Sequence, residues 1–293
     1  MDRSAYRVSF ASVVCWFLIF LFMSIGCHRA ATGSSLQFGD YLFEQQEYDR
    51  AITEYYREFF ISPSTNKNGF IDLRLGIACA ANEDVDKARF FLTQVIEQHP
   101  HTEEAGWALF SLAKLYHQKQ HYDLSLQHLG KLFALETNKV FEEEAEIITG
   151  WNYLKLNAWN SAADWYELHK GNPDISAKIR EGNRLRLKSP FIGGLASALI
   201  PGAGHFYAGM WQDGIVSLLL NAAFGYAAYE AFQENNSTAG WILTFFELSW
   251  YSGNIYTGIG SVHKANKKTI HEFLHGLIKH GLPQPSLTYE LPE

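Results

Sequence analysis

Gly76-Ile77-Ala78-Cys79-Ala80-Ala81-Asn82-Glu83-Asp84-Val85-Asp86-Lys87-Ala88-Arg89-Phe90-Phe91-Leu92 sets out a helix, a turn and a second helix. The first part is small and apolar. Asn82-Glu83-Asp84 is turn chemistry, and Val85, Ala88 and Leu92 then recur at helical spacing. Gly76 and Ala88 are small enough to let two helices cross closely. Leu92, one turn beyond Ala88, fills the space between them. Cys79 falls on a packing position of the first helix and reads as core filler.

Outward from this stretch the pattern repeats every 37 residues, in Ala51, Ala88, Ser125 and Ala162. Gly39, Gly76, Ala113 and Gly150 stand twelve residues before these positions, and Tyr55, Leu92, Leu129 and Tyr166 four after. Tyr48, Val85, Tyr122 and Trp159 stand three before. Pro63 and Pro100 end the second helix of the first two units, because proline cannot continue a helix. Each unit has an apolar face that it cannot bury alone, so neighbouring units supply one another's core.

This grid resembles the tetratricopeptide repeat, a helix-turn-helix unit of 34 residues, with three extra residues between units here. The resemblance covers about residues 32–176. It implies an all-α chain containing an α-solenoid of four helix pairs over 36–174. It also implies a concave groove, lined by the first helices, that takes a protein partner. The positions that would line it are Phe43, Phe70, Leu73, Ile77, Trp107, Phe110, Lys114, His117, Ile147 and Trp151. Many are large and apolar, and exposed together they would form a patch that calls for a partner.

The distribution of charge divides the rest of the chain. Over 293 residues the net charge is −7, which makes a poor general binder of nucleic acid. Residues 191–263 contain no Lys or Arg. A basic segment, 175–190, precedes them with Lys178, Arg180, Arg184, Arg186 and Lys188, and Lys264, Lys267 and Lys268 follow. Soluble surfaces mix both signs, so a cation-free stretch between basic collars suggests lipid.

Inside that stretch Pro201, Gly202, Gly204, Tyr207, Gly209 and Gly214 form a Pro-Gly-x-Gly-x-x-Tyr-x-Gly motif followed by a further Gly. The segment from about 190 to 266 resembles a small bacterial membrane domain with two closely spaced helices. Pro201-Gly202 breaks a helix, and such a break in lipid must be shielded, so 191–209 is expected to be re-entrant or half-inserted. Two fuller spans are expected over 213–232 and 239–262. Ala223, Ala227 and Ala231 offer a small-residue packing face on the first. Glu247, Tyr251, Asn254, Gly258 and Ser261 share a face of the second. Glu247, an intramembrane carboxylate, and Asn254 are the polar candidates there, with Asn221 or Asn254 as bonding partners for Glu247.

At the other end, Arg3 and Arg7 precede an uncharged apolar run to Cys27, the pattern of a signal peptide or an N-terminal anchor over 1–29. Ser24-Ile25-Gly26-Cys27 resembles a bacterial lipoprotein cleavage box, which would lipidate Cys27; an uncleaved anchor is the alternative. Residues 30–35 read as a linker. Export would put the repeats on the extracytoplasmic side; the number of later spans stays open.

The last segment, 264–293, reads as a tail. It holds His271-Glu272-Phe273-Leu274-His275, a match to His-Glu-x-x-His, in which both imidazoles would share a helix face and could bind zinc. A third ligand and a second catalytic lobe do not follow, so no metal, cofactor or catalytic residue is assigned. The expectation is a non-enzymatic, membrane-anchored adaptor that binds a protein partner at the bacterial cell envelope and touches membrane lipids but no nucleic acid. Envelope protein assembly is one setting. The alternatives are a zinc-dependent membrane peptidase built on residues 271–275 and a small transport element centred on Glu247.

Overall fold

The computed structural model describes residues 35–61, 66, 69–135 and 141–292. The expected leader, Cys27, the linker up to residue 34 and Pro63 lie outside these residues. The described residues form thirteen α-helices and one 3-10 turn, and contain no strand. The chain divides into two compact units, one of residues 1–145 with 286–293, the other of 146–285.

In the first unit α1 (Ser35–Glu44) pairs with α2 (Tyr48–Ile61), α3 (Phe70–Ala81) with α4 (Val85–Gln98), and α5 (Glu103–Gln118) with α6 (Tyr122–Phe133). α7 (Glu142–Lys155) begins in this unit and continues into the second. The turn inside each pair is the same object. Gln46, Glu83, Gln120 and Asn157 all take positive φ, between 57° and 63°, and they stand 37 residues apart. At each, the following N–H reaches back across the turn: Glu47 to Leu42 O, Asp84 to Cys79 O, His121 to Tyr116 O and Ala158 to Tyr153 O. These are helix-terminating bonds that satisfy carbonyls left over in the last turn.

Packing repeats with the turn. Ala51, Ala88, Ser125 and Ala162 are fully buried, and Tyr55, Leu92, Leu129 and Tyr166 nearly so. A Cβ added at Gly39, Gly76 or Gly150 would come within 2.6 Å of Tyr55, within 2.6 Å of Leu92 or within 2.5 Å of Tyr166, respectively. Ser125, the one hydroxyl in this row, donates to Ala113 O at 2.8 Å and so avoids an unmet polar group in the core. Cys79 is buried, and burial pushes its thiol up to about 11, as suits a packing residue rather than a reactive one.

The second unit holds α8 (Trp159–Lys170), α9 (Pro173–Arg180), the 3-10 turn Glu181–Arg184, α10 (Pro190–Leu199), α11 (Ala203–Ala208), α12 (Trp211–Gln233) and α13 (Ser237–Lys279). Helix starts carry side-chain caps and prolines: Asn172 before Pro173, and Ser189 before Pro190. α10, α11 and α12 all pack on α13. α12 is the one described helix long and apolar enough to cross a membrane. The second expected span is part of a single 43-residue helix, α13, which runs on through Lys264, Lys267 and Lys268 to Lys279. No proline interrupts that stretch, so the change from apolar to basic residues does not end the helix.

The small-residue face of α12 differs from the expected one. Gly214, Asn221 and Ala228 are buried, whereas of the expected residues Ala227 and Ala231 are half-buried and Ala223 is exposed. Two cations of the first collar also serve the protein. Arg180 is bonded to Asp164 and Glu167 at 2.8 and 2.7 Å, and Lys188 donates to Tyr207 O at 2.7 Å.

Candidate functional site

The groove positions are found on α1, α3 and α5 of the first unit, but they do not form an open patch. Phe43, Leu73, Ile77, Phe110, Lys114 and His117 are buried, and Phe70 and Trp107 are half-buried. Trp107 and Phe110 both pack on Phe141, with ring centroids 4.4 and 4.8 Å away. The Lys114 ammonium pairs with Glu144 at 3.2 Å and lies 4.7 Å from the Phe110 ring centroid. In the second unit Ile147 is half-buried, and Trp151 is buried and donates its indole N–H to Pro283 O at 2.6 Å.

Residues 286–292 of the same chain lie against this surface. Gln118 donates to Leu287 O at 2.9 Å, and Tyr289 OH donates to Gln118 Oε1 at 3.0 Å. Lys114 Nζ stands 5.8 Å from the Tyr289 ring centroid. Arg74 Nη2 donates to Pro292 O at 3.0 Å. Tyr289 and Leu291 pack against the apolar core built by α1 to α5. Burial alternates along the segment: Leu287, Tyr289 and Leu291 are half-buried, while Ser286, Thr288 and Glu290 are exposed. A period of two is the signature of an extended chain laid on a surface.

Arg74 is the fixed point of this contact. Its guanidinium is almost wholly buried and grips Asp40 through Nε at 2.9 Å and Nη2 at 3.2 Å. Asp40 also accepts from Tyr55 OH at 2.8 Å, and the guanidinium lies 3.8 Å from the Phe70 ring centroid. Burial pushes the Tyr55 phenol far above its ordinary range, so it keeps the proton that it donates to Asp40. The buried cation thus has its charge met by one carboxylate while still offering an N–H to a passing backbone carbonyl. Beside the segment a cleft of about 870 Å³ remains, lined by Phe43, Tyr48, Ala80, Gln118, Leu287 and Leu291.

The glycine motif of the second unit resolves into a backbone junction. Gly202 and Gly209 have φ of 84° and 86° and bracket the short helix α11. The Gly202 N–H, orphaned by the break after α10, donates to Asn254 Oδ1 at 3.0 Å, which also accepts from Ser217 Oγ. Asn254 Nδ2 in turn donates to Ser197 O at 3.2 Å, and Gly204 N to Ser197 Oγ at 3.0 Å. Tyr251 OH caps Ala198 O at 2.6 Å. Tyr207 OH accepts from Ser189 N, and Gly214 packs under the Phe206 ring. Pro201 begins the break and is half-buried. Asn254 is therefore a plug for broken backbone and not a bonding partner of Glu247. Asn221, likewise expected to reach Glu247, donates to Ser217 O at 2.7 Å. Glu247 Oε2 is buried and has no partner among the described residues.

No family model, curated protein or solved structure matches the chain. In the tail, His271, Glu272 and His275 are exposed on α13, while Leu274 and Leu277 of the same helix are buried. The described residues hold no group of three His, Cys, Asp or Glu side chains that could bind a metal ion.

Three residues that matter here were not singled out from the sequence. Gln118 lies at the end of α5, where a polar residue looks like ordinary surface. Ser197 sits in an apolar run. Asn266, among the basic residues, holds Lys188 through both its backbone N–H and C=O, at 2.8 and 2.7 Å. The alternation of Leu287, Tyr289 and Leu291 was a readable signal for an extended, surface-bound segment.

Proposed function

We propose that the chain is a non-enzymatic, membrane-anchored adaptor of a bacterial cell envelope. Its 37-residue helix pairs, which resemble tetratricopeptide repeats, hold a protein segment against their first helices, and residues 190–263 seat the chain in the bilayer. The observation that carries the membrane half is exposed apolar surface. Only 11% of the apolar window of α12 is buried within the protein. Phe191, Leu199, Trp211, Leu219, Phe245 and Tyr256 are each more than 60% exposed. Such a surface in water would aggregate, and in lipid it is the ordinary state. At 1.5 Å per residue α13 is about 64 Å long, twice the hydrocarbon thickness, so it would carry its lysine-rich end clear of the bilayer.

The adaptor half is supported by the recurrence of turn and packing at a fixed interval and by the row of first-helix side chains that meets an extended peptide. On this reading the leader pattern carries the repeats to the extracytoplasmic side, and the chain is held there either through a lipid on Cys27 or through an uncleaved N-terminal anchor. Two measurements test the reading. The chain freed of residues 1–29 should require detergent to stay monodisperse; if it remains monodisperse in plain buffer, the membrane assignment is wrong. A photo-crosslinking residue in place of Trp107 should give a defined protein adduct in cells, and its absence would remove the adaptor role.

A further inference from the structure

The surface on α1, α3 and α5 is occupied by residues 286–292, and the manner of occupation states what the surface reads. Two contacts go to backbone carbonyls, Gln118 to Leu287 O and Arg74 to Pro292 O. These carry no preference for side-chain identity. From Leu287 to Leu291 the half-buried side chains stand at every second position. Tyr289 meets the pocket of Trp107, Phe110, Phe141 and Lys114, and Leu287 and Leu291 border the cleft beside Phe43 and Tyr48. Backbone bonds for affinity and alternate pockets for specificity are the physics of extended-peptide recognition.

The contact has the character of a ligand more than of a core. Glu290 and Thr288 are exposed, Leu287, Tyr289 and Leu291 only half-buried, and open cleft persists alongside. The charge of buried Arg74 is met by Asp40 and not by the Pro292 carbonyl, so removing the segment would leave no unpaired charge.

We propose that residues 286–292 are the resident occupant of this groove. The partner it accepts is an extended protein segment with apolar, aromatic and apolar side chains at alternate positions, admitted when 286–292 leaves. The proposal rests on the adaptor reading and names its ligand chemistry. A covalently attached occupant competes at an effective concentration in the millimolar range. The intact chain should therefore bind such a segment far more weakly than a chain whose own segment is disabled.

The test uses a fluorescent peptide, Ser-Leu-Thr-Tyr-Glu-Leu-Pro, and the full chain in detergent. The intact chain should bind it at least ten-fold more weakly than the Tyr289→Ala/Leu291→Ala chain or the chain ending at Pro285. Changing the peptide tyrosine to alanine should cost a further ten-fold. Circular dichroism and the melting curve identify any variant that does not fold. For that case a photo-crosslinking residue at position 289 of the otherwise intact chain should form an intramolecular adduct with α5. Equal peptide binding by intact and altered chains, or a 289 adduct away from α5, would overturn the proposal. If the folded altered chains bind no peptide while position 107 still yields a protein adduct, this inference fails and the adaptor stands. If neither occurs, both fail.

Discussion

The helix pairs of the first unit and the α10–α13 region both depend on glycine, but only in α10–α13 are some glycines crowded most closely by backbone. In the pairs, large side chains press on it: Tyr55 on Gly39 and Leu92 on Gly76. In α10–α13 large side chains crowd some glycines, Phe206 on Gly214 and Val262 on Gly193, but three others meet backbone or a short hydroxyl. A Cβ on Gly202 would stand 2.3 Å from Gly214 O, one on Gly204 2.2 Å from Gly193 O, and one on Gly258 2.2 Å from Ser197 Oγ. The proposed seat of residues 190–263 in the bilayer accounts for this difference. In water, burying a tyrosine or leucine stabilises a fold by about 1.5–3 kcal/mol. In lipid that gain vanishes, and close backbone packing with satisfied polar groups takes its place.

This contrast is most easily broken at the junction. Gly204→Ala forces a methyl group against a carbonyl that cannot step aside, and Gly202→Ala adds left-handed backbone to the clash. Each should destabilise α10–α13 by about 3 kcal/mol or more, read as a lowered melting temperature in detergent. Gly76→Ala is the counterpart. There the nearest atoms belong to the Leu92 side chain, which can shift, and alanine gains about 1 kcal/mol of helix propensity. Its net cost should be about 1 kcal/mol. Equal costs at the two sites would mean that both regions pack by one rule.

A middle-sized effect belongs to Asn254. Replacing it with alanine strands the Gly202 N–H, the Ser217 hydroxyl and Ser197 O. The loss should be about 2 kcal/mol, with protease sensitivity appearing at the 200–202 break. Full retention of stability would show that water or lipid headgroups reach the junction.

How far these regions could be read from the chain depends on what each leaves in the amino-acid pattern. The helix pairs were legible because steric need writes small and large residues at a fixed interval, and Gly39 with Tyr55 or Gly76 with Leu92 can be matched by spacing alone. The left-handed turn residues were not, since Gln46, Glu83 and Gln120 look like any polar surface; a glycine would have announced them. The glycine motif located a helix break but not the plug, because Asn254 lies 52 residues from Gly202 and spacing carries no information over that distance. The residues expected to line a groove in the first unit do lie on α1, α3 and α5, but nothing in their spacing announces the segment that covers them. Leu287-Thr288-Tyr289-Glu290-Leu291 alternates plainly, but an alternating segment does not say which surface it lies on.

A smaller gain is expected at those unannounced turns. Gln120 sits at φ 63°, where an L side chain crowds its own backbone at a cost of about 1–2 kcal/mol that glycine does not bear. Glycine also loses more freedom on folding, so Gln120→Gly should stabilise by about 0.5–1 kcal/mol. Asn157→Gly should gain less, because asparagine tolerates this region. A loss at Gln120 would mean that its side chain makes a contact worth more than the strain.

The subtlest distinction between the regions is titration. His128 on α6 stacks on Tyr116 with centroids 5.3 Å apart, and its buried Nδ1 has no partner among the described residues. Burial, aided by the nearby Lys131 charge, depresses its pKa from 6.5 to about 4. The folded chain therefore holds the ring neutral between these values, while the unfolded chain protonates it. Unfolded chains bind the extra proton, so stability is complete above pH 6.5 and declines as pH falls toward 4, below which both states are charged and the loss levels off. His128→Leu should flatten this part of the pH profile and leave the melting of α10–α13 unchanged. The check is a set of melting curves from pH 7 to pH 4 on both chains, following the helix pairs and α10–α13 separately. If the slope persists in His128→Leu, the proton is taken up elsewhere and α5–α6 is not the acid-sensitive pair.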